Sequence, residues 1–158
     1  MINYIDLRIP IELDDIIQLE NECDISFPEE YKNHLLNYNG GSPEPNIFSF
    51  TENGKKTNSR INYFYAINSG EFDDLKKVIE TFKITEKRMP THILPIAEDP
   101  FGNVVCISAG KIDYGYIYFW DHENEVDYGI ANDDDYSNLY FIAESFTEFI
   151  NSLKSEVG

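Results

Sequence analysis

Basic residues are scarce in this chain. It has 12 Lys and Arg against 29 Asp and Glu, which gives a formal net charge of -17. Such a surface repels nucleic-acid phosphates and anionic lipids, so we expect no direct binding to nucleic acid or to a membrane. The same charge attracts basic partners and speeds their encounter, although a solvated acidic surface can also serve only to keep a protein soluble.

Cysteine is also rare, and long apolar runs are missing. The two cysteines, Cys23 and Cys106, show no CxxC spacing, which fits a reducing compartment better than a disulfide-rich secreted fold. No run approaches the roughly 18 apolar residues that a membrane span needs, and we recognise no apolar signal-peptide region. We therefore expect a cytoplasmic protein.

Familiar catalytic motifs are missing too: there is no P-loop, no GxGxxG after a strand, no GxSxG and no HExxH. Cys106 lies in the apolar run VVCIS, where a thiol is more often an inert core residue than a nucleophile. The run Asp133–Asp135 lacks the alternating order of an EF-hand calcium loop. We predict no enzyme activity, no cofactor and no metal; a metal-dependent hydrolase using His92 and His122 is a less favoured alternative.

Enough apolar residues are present, 42% of 158, to build the core of one domain. Helical spacing predicts a first helix in IELDDIIQLENECD and a second in FPEEYKNHLLNYNGG, packed together as a hairpin. In the second helix Pro28 fits the first helical position, and Tyr31, Leu35 and Tyr38 share one face. We expect Asn39, Gly40 and Gly41 to end this helix in a left-handed conformation.

The rest of the chain predicts strands and two more helices. NIFSF and RINYFYAI read as strands separated by the polar loop ENGKKTNS, and EFDDLKKVIETFKI returns to helical spacing. THILPIAED, NVVCISAG and YGYIYFWDHE read as three consecutive strands, and residues 125–138 as a long loop. Ser145 and Glu148 form a capping box that opens a terminal helix. Grouped helices and grouped strands predict an α+β fold with a mainly antiparallel sheet.

Four segments of the chain resemble the SUKH superfamily, which is named partly after a fungal cell-wall-synthesis regulator. FPEEYKNHLLNYNGG is similar to its "LP-x-x-Y … L … Y-N-G-G" helix, and ILPIAEDPFGNVVCIS to its "LP-I/F-A-x-D-x-x-G-D" strand pair. YIYFWDHE resembles the "V-x-x-W-D-H-E" strand, and IAESFTEFINSL the terminal "A-x-S-F-x-E-F-L" helix. The departures are mild: Phe27 stands where the family usually has Leu, and Asn103 where it often has Asp.

The resemblance implies a single SUKH-like domain over residues 1–158, without catalysis. Bacterial members of this type typically neutralise a cognate toxin, often a nuclease, in contact-dependent or polymorphic toxin systems. Nuclease toxins tend to be basic, so the acidity of this chain fits an immunity protein that covers such a surface. Other members act as regulatory or scaffold modules, and that alternative, with an endogenous partner, stays open.

We expect the partner-binding surface to consist of acidic loops and strand ends, with one tyrosine as an aromatic anchor. The residues predicted for this surface are Glu98, Asp99, Asp121, Glu123, Asp127, Asp133, Asp134, Asp135 and Tyr136.

Overall fold

An antiparallel sheet of seven strands forms the centre of the protein in a computed structural model, which describes residues 2–155. The strands of the chain are β1 (Asn3–Leu7), β2 (Gly40–Glu44), β3 (Ile47–Glu52), β4 (Lys55–Arg60), β5 (Tyr63–Phe64), β6 (Ile93–Glu98), β7 (Val104–Ser108), β8 (Ile117–Trp120) and β9 (Leu139–Ala143). The central sheet has the order β1-β2-β5-β6-β7-β8-β9, and β3 and β4 form a separate hairpin. The predicted α+β class with a mainly antiparallel sheet is confirmed.

Four α-helices pack around these strands within the described residues: α1 (Leu13–Cys23), α2 (Glu29–Asn37), α3 (Leu75–Ile79) and α4 (Phe146–Ser152). All four lie where helical spacing predicts them. The α3 helix continues into a π-helical turn over Glu80–Thr85. In α4, the Ser145 side chain accepts a hydrogen bond from the Glu148 backbone N–H, as the capping sequence predicts. No helix within residues 2–155 is long and apolar enough to cross a membrane.

The two N-terminal helices do not pack mainly on each other, which corrects the predicted hairpin. The strongest helix contacts join α1 to α3 and α2 to α4. On α2, Tyr31 and Leu35 are buried as predicted, whereas Tyr38 is 37% exposed because it lies past the last helical turn. Pro28 lies one position earlier in the helix than predicted, because it is the N-cap and not the first helical residue. The helices therefore cover the sheet as separate elements.

The polar segment ENGKKTNS, predicted as a loop, is instead a tight turn followed by a strand. Asn53 and Gly54 both have positive φ angles and connect β3 to β4, which pair along their whole lengths. An Asn-Gly pair between two extended segments is the strongest short-range signal for a hairpin. The prediction was wrong because β4 is polar throughout and mostly exposed, so it shows no alternation of apolar residues. The edge strands β1 and β9 were likewise not predicted.

Both faces of the central strands are covered, each by different elements. On one face Phe119 stacks on Phe50 of the hairpin, with ring centroids 4.1 Å apart. On the other face Trp120 meets Phe82 of the π-helical turn edge-on at 5.3 Å, and its indole N–H donates to the Arg88 carbonyl. Residues 121–138, which link β8 to β9, pass over this second face and carry several of the predicted site residues.

Candidate functional site

The structure divides the predicted site residues between the two ends of strands β6 to β8. Glu98 ends β6, and Asp121 follows β8 at the same end, because β6, β7 and β8 pair in register through Val104. At the opposite end, Asp133 contacts Thr91 and Tyr136 contacts His92, both just before β6. The remaining predicted residues belong to these two groups or to the segment between them. Glu123 follows Asp121, Asp134 follows Asp133, and Asp127 and Asp135 lie elsewhere on residues 121–138.

Two of the predicted acids at the first end organise the turns around them. Asp99 is 2% exposed and accepts hydrogen bonds from the backbone N–H groups of Phe101 and Asn103 and from the Ser59 hydroxyl. Asp121 is 8% exposed and accepts from the Glu123 backbone N–H and from the Tyr140 hydroxyl. Both carboxylates hold groups of the fold, and neither lines the cleft at the second end.

The other acids outside the second group differ in exposure. Glu98 is partly buried and accepts hydrogen bonds from the Tyr63 and Tyr65 hydroxyls. Glu123 and Asp127 are exposed, and Asp127 accepts from the Gly129 backbone N–H. Hydrogen bonds from the Ser137 hydroxyl and backbone N–H lower the pKa of Asp135. None of these carboxylates lines the cleft at the second end.

The second end contains an open cleft of about 670 Å³ beside the β7–β8 turn. A volume of this size is typical of ligand-binding clefts. One lining residue is apolar, since Ile112 borders the cleft and its side chain is fully exposed. The side chains that give the cleft its chemistry are Tyr116, Tyr118 and Tyr136, the aspartates Asp113, Asp133 and Asp134, and His92 and Lys111.

A buried carboxylate forms the base of this cleft. Asp113 is 8% exposed and accepts hydrogen bonds from the hydroxyls of Ser108 at 2.5 Å, Tyr118 at 2.7 Å and Tyr136 at 2.8 Å. Burial raises the pKa of Asp113, but these three hydrogen bonds and the nearby His92 outweigh burial and lower the pKa below its ordinary value. Asp113 is therefore an anion at neutral pH.

Tyr136 links this carboxylate to His92. The Tyr136 hydroxyl has one hydrogen, which it donates to Asp113, so it accepts a hydrogen bond from His92 Nε2 at 2.5 Å. That assignment places the imidazole proton on Nε2. Burial is the largest cause that raises the pKa of Tyr136, and the hydrogen bond to Asp113 adds to it. The phenol therefore stays neutral and keeps its hydrogen directed at the carboxylate.

The long segment between β8 and β9 places Asp133, Asp134 and Tyr136 at the cleft. Near its start, Glu125 accepts two hydrogen bonds from the Arg88 guanidinium, at 2.7 and 2.8 Å. Farther along, Asp133 accepts from the Thr91 backbone N–H at 3.1 Å and from its hydroxyl at 2.5 Å, and these bonds lower the pKa of Asp133. The segment is held at both points, so the aspartates have defined positions.

Sequence reasoning missed the base of the cleft. Asp113 lies in GKIDYG, which predicts a turn, and an acid in a turn normally faces water. Spacing gave no signal, because Asp113 is an odd number of positions from Tyr116 and Tyr118 and would face the other side of an extended chain. The turn before β8 instead brings Asp113 to the Tyr118 hydroxyl.

The alternative chemistries considered from the sequence find no support in the geometry. His92 and His122 lie at opposite ends of the central strands, next to Gly110 and Gly102 respectively. Within residues 2–155, no group of three or more His, Cys, Asp and Glu side chains is arranged to hold a metal ion. The Cys106 thiol is fully buried, and burial raises its pKa, so it is not a thiolate nucleophile.

Comparison with known proteins gives one family and one relative. The model of the SMI1/KNR4 family (SUKH-1) matches residues 10–152. The SPbeta prophage-derived uncharacterized protein YokK of Bacillus subtilis (strain 168) is 29% identical over 163 residues, covering 88% of this chain and 72% of that protein. The family match spans α1 to α4 and includes every residue that lines the cleft.

Proposed function

The chain belongs to the SMI1/KNR4 family (SUKH-1), and on that premise we propose that it is a non-catalytic immunity protein that binds and neutralises a bacterial toxin. The observation that carries the proposal is the convergence of Asp133, Asp134 and Tyr136 on one open cleft that the exposed Ile112 also lines. Protein-binding surfaces commonly combine such an aromatic and apolar centre with a polar rim. The prophage-derived relative is consistent with this role.

The charge of the chain indicates what kind of toxin it binds. A net charge of -17 favours a basic partner, and a toxin that cleaves nucleic acid has a basic surface because it holds phosphates. An inhibitor that covers such a surface needs neither a cofactor nor contact with nucleic acid or membrane. The proposal places this encounter in the cytoplasm, where an incoming nuclease would meet its substrate.

Co-expression tests this function directly. Cells that produce toxins encoded by genes adjacent to this one should survive when the protein is present. Asp134→Lys should weaken protection, because Asp134 is exposed and lines the cleft. Glu123→Lys tests the other end of the strands, where the predicted residue Glu123 is also exposed.

Three outcomes would contradict the proposal in different ways. Failure to protect against any neighbouring toxin would count against immunity. Capture of an endogenous regulatory protein that binds the cleft with defined stoichiometry would support the alternative role instead. Protection that Glu123→Lys removes and Asp134→Lys preserves would place the contact surface elsewhere.

A further inference from the structure

The side chains at the base of the cleft present only hydrogen-bond acceptors, while Lys111 on the rim is a donor. The hydrogens of the Ser108, Tyr118 and Tyr136 hydroxyls are all donated to Asp113, so these oxygens offer only lone pairs to a ligand. The carboxylate of Asp134 has no hydrogen bond or ion pair with any residue in the described part of the chain. A ligand that satisfies this cleft must therefore be rich in N–H donors.

The base of the cleft also carries a negative charge that no cation of the chain neutralises. Asp113 is more than nine-tenths buried, yet among residues 2–155 neither Lys nor Arg forms an ion pair with it. Hydroxyl groups compensate part of the cost of burying this anion. Asp113 Oδ1 accepts one hydrogen bond, from Ser108, whereas Oδ2 accepts two, so Oδ1 has the capacity to accept one more.

The walls of the cleft match one cationic side chain better than others. The rings of Tyr118 and Tyr136 meet edge-on, with centroids 5.3 Å apart, and Tyr116 extends the aromatic lining. A guanidinium group is planar, stacks on aromatic rings and offers five N–H donors, whereas the ammonium of lysine offers three donors and is more strongly hydrated. Lys111 is an exposed cation on the rim and opposes any cationic ligand.

From this geometry we infer that the cleft is a receptor for an arginine side chain of the partner protein. The guanidinium lies against the tyrosine rings, with its N–H groups directed at Asp113 and at the rim aspartates Asp133 and Asp134. Ile112 contacts apolar residues that flank the arginine. This inference deepens the proposed function and rests on it for the identity of the protein that supplies the arginine.

An NMR titration tests the receptor without any toxin. The isotopically labelled full-length protein is titrated with Nα-acetyl-arginine amide and, separately, with its uncharged citrulline analogue. Arginine amide should shift the backbone resonances of Gly110 and Ile112 saturably, with a dissociation constant on the order of 1 mM for a ligand of this size. The citrulline analogue should bind at least about tenfold more weakly, because it lacks the charge.

Variants separate the buried carboxylate from the rim. Asp113→Asn should weaken arginine binding about tenfold and Asp134→Asn about threefold, whereas Lys111→Ala should strengthen it. Asp14→Asn, at an exposed aspartate of α1 that does not line the cleft, should leave it unchanged. Thermal unfolding and circular dichroism identify any variant that fails to fold; Asp134→Asn and Lys111→Ala, both at exposed positions, keep the test decisive if Asp113→Asn does not fold.

The receptor is refuted if citrulline binds as well as arginine, or if arginine shifts only residues far from the cleft. The receptor is also refuted if the wild type and the folded Asp134→Asn and Lys111→Ala variants bind arginine equally well. Saturable arginine binding without protection against any toxin would instead overturn the immunity function alone. Protection against a toxin with no arginine binding would overturn the receptor alone.

Discussion

Gly40 and Gly41 set how closely strand β2 approaches its neighbours. Both have positive φ angles, of 79° and 82°. A Cβ atom on Gly40 would lie 2.7 Å from the Cβ of Ala66, and one on Gly41 would lie 2.9 Å from the carbonyl oxygen of Ile5. Asn39, just before them, donates to the Ile9 and Ile67 carbonyls and accepts from the Ile67 N–H. These three residues therefore join the edge of the sheet to its centre.

A pair of glycine variants separates close packing from backbone conformation. Gly40→Ala should lower the free energy of unfolding by more than about 3 kcal/mol, because the added methyl group collides with Ala66 in addition to the strain of a positive φ. Gly54→Ala should cost only about 1 kcal/mol, since its φ is also 79° but nothing lies within 4 Å of the new Cβ. Urea denaturation measures both, and equal losses would contradict the packing role of Gly40.

At the scale of elements, the long connection between β8 and β9 decides where the candidate site lies. It leaves and returns at the same end of the sheet, because the Asp121 N–H donates to the Asn138 carbonyl. Between these residues it reaches the opposite end at Asp133, which accepts from the Thr91 N–H, and Tyr136 extends its hydroxyl to Asp113. The Arg88 guanidinium pairs with Glu125 of this connection and lies 4.4 Å from the Phe82 ring centroid. Arg88 thus ties the connection to the face that it covers.

Removing the Arg88 side chain should make the connection more mobile without unfolding the protein. Arg88→Ala should lower the free energy of unfolding by about 1 kcal/mol, because the ion pair is partly exposed and the contacts with the aromatic rings are lost as well. Backbone hydrogen exchange in residues 125–138 should accelerate, especially at Tyr128, whose N–H donates to the Lys87 carbonyl. Lys56→Ala, which removes an exposed cation of β4, is the control. Unchanged hydrogen exchange in Arg88→Ala would show that Arg88 does not hold the connection against the sheet.

At the scale of the whole molecule, His34 lies where four elements meet. Its Nε2 lies 2.7 Å from the Tyr4 hydroxyl of β1, and its ring contacts Phe64 of β5 and Phe146 of α4. Burial lowers the pKa of His34 from 6.5 to about 4. The folded protein therefore favours the neutral imidazole at this junction, whereas the unfolded chain binds a proton below pH 6.5.

Acid should weaken the fold through this histidine. Its pKa is lower in the folded state, so its contribution is complete above pH 6.5 and is lost as the pH falls towards 4, up to about 3 kcal/mol. The free energy of unfolding, measured by denaturant titration at pH 7, 6 and 5, should fall with pH. His34→Gln should flatten this dependence, because glutamine does not titrate. An identical slope in both proteins would show that His34 is not the responsible group.

Most of the helices and the central strands could be predicted because their signals are local. The apolar run VVCIS predicts a buried strand, and the Ser145 capping sequence predicts the start of α4; both are confirmed. The edges of the sheet were harder. Strand β4 is polar and exposed, so its extended conformation depends on pairing with β3 rather than on its own residues. The Gly40–Gly41 pair looks like a helix end, yet its conformation serves the approach of strands from other parts of the chain.

Three features can be read from the order of residues, since each depends only on near neighbours. They are the acidity of the chain, its four family motifs and the loop that carries Asp133, Asp134 and Tyr136. The cleft cannot be read in this way. Tyr136 meets His92 across 44 positions and Asp113 across 23, and only the path of one loop over a packed sheet brings them together. Tertiary structure also decides which acids are accessible to solvent, because Asp99 and Asp121 are buried and hydrogen-bonded while Asp134 is exposed.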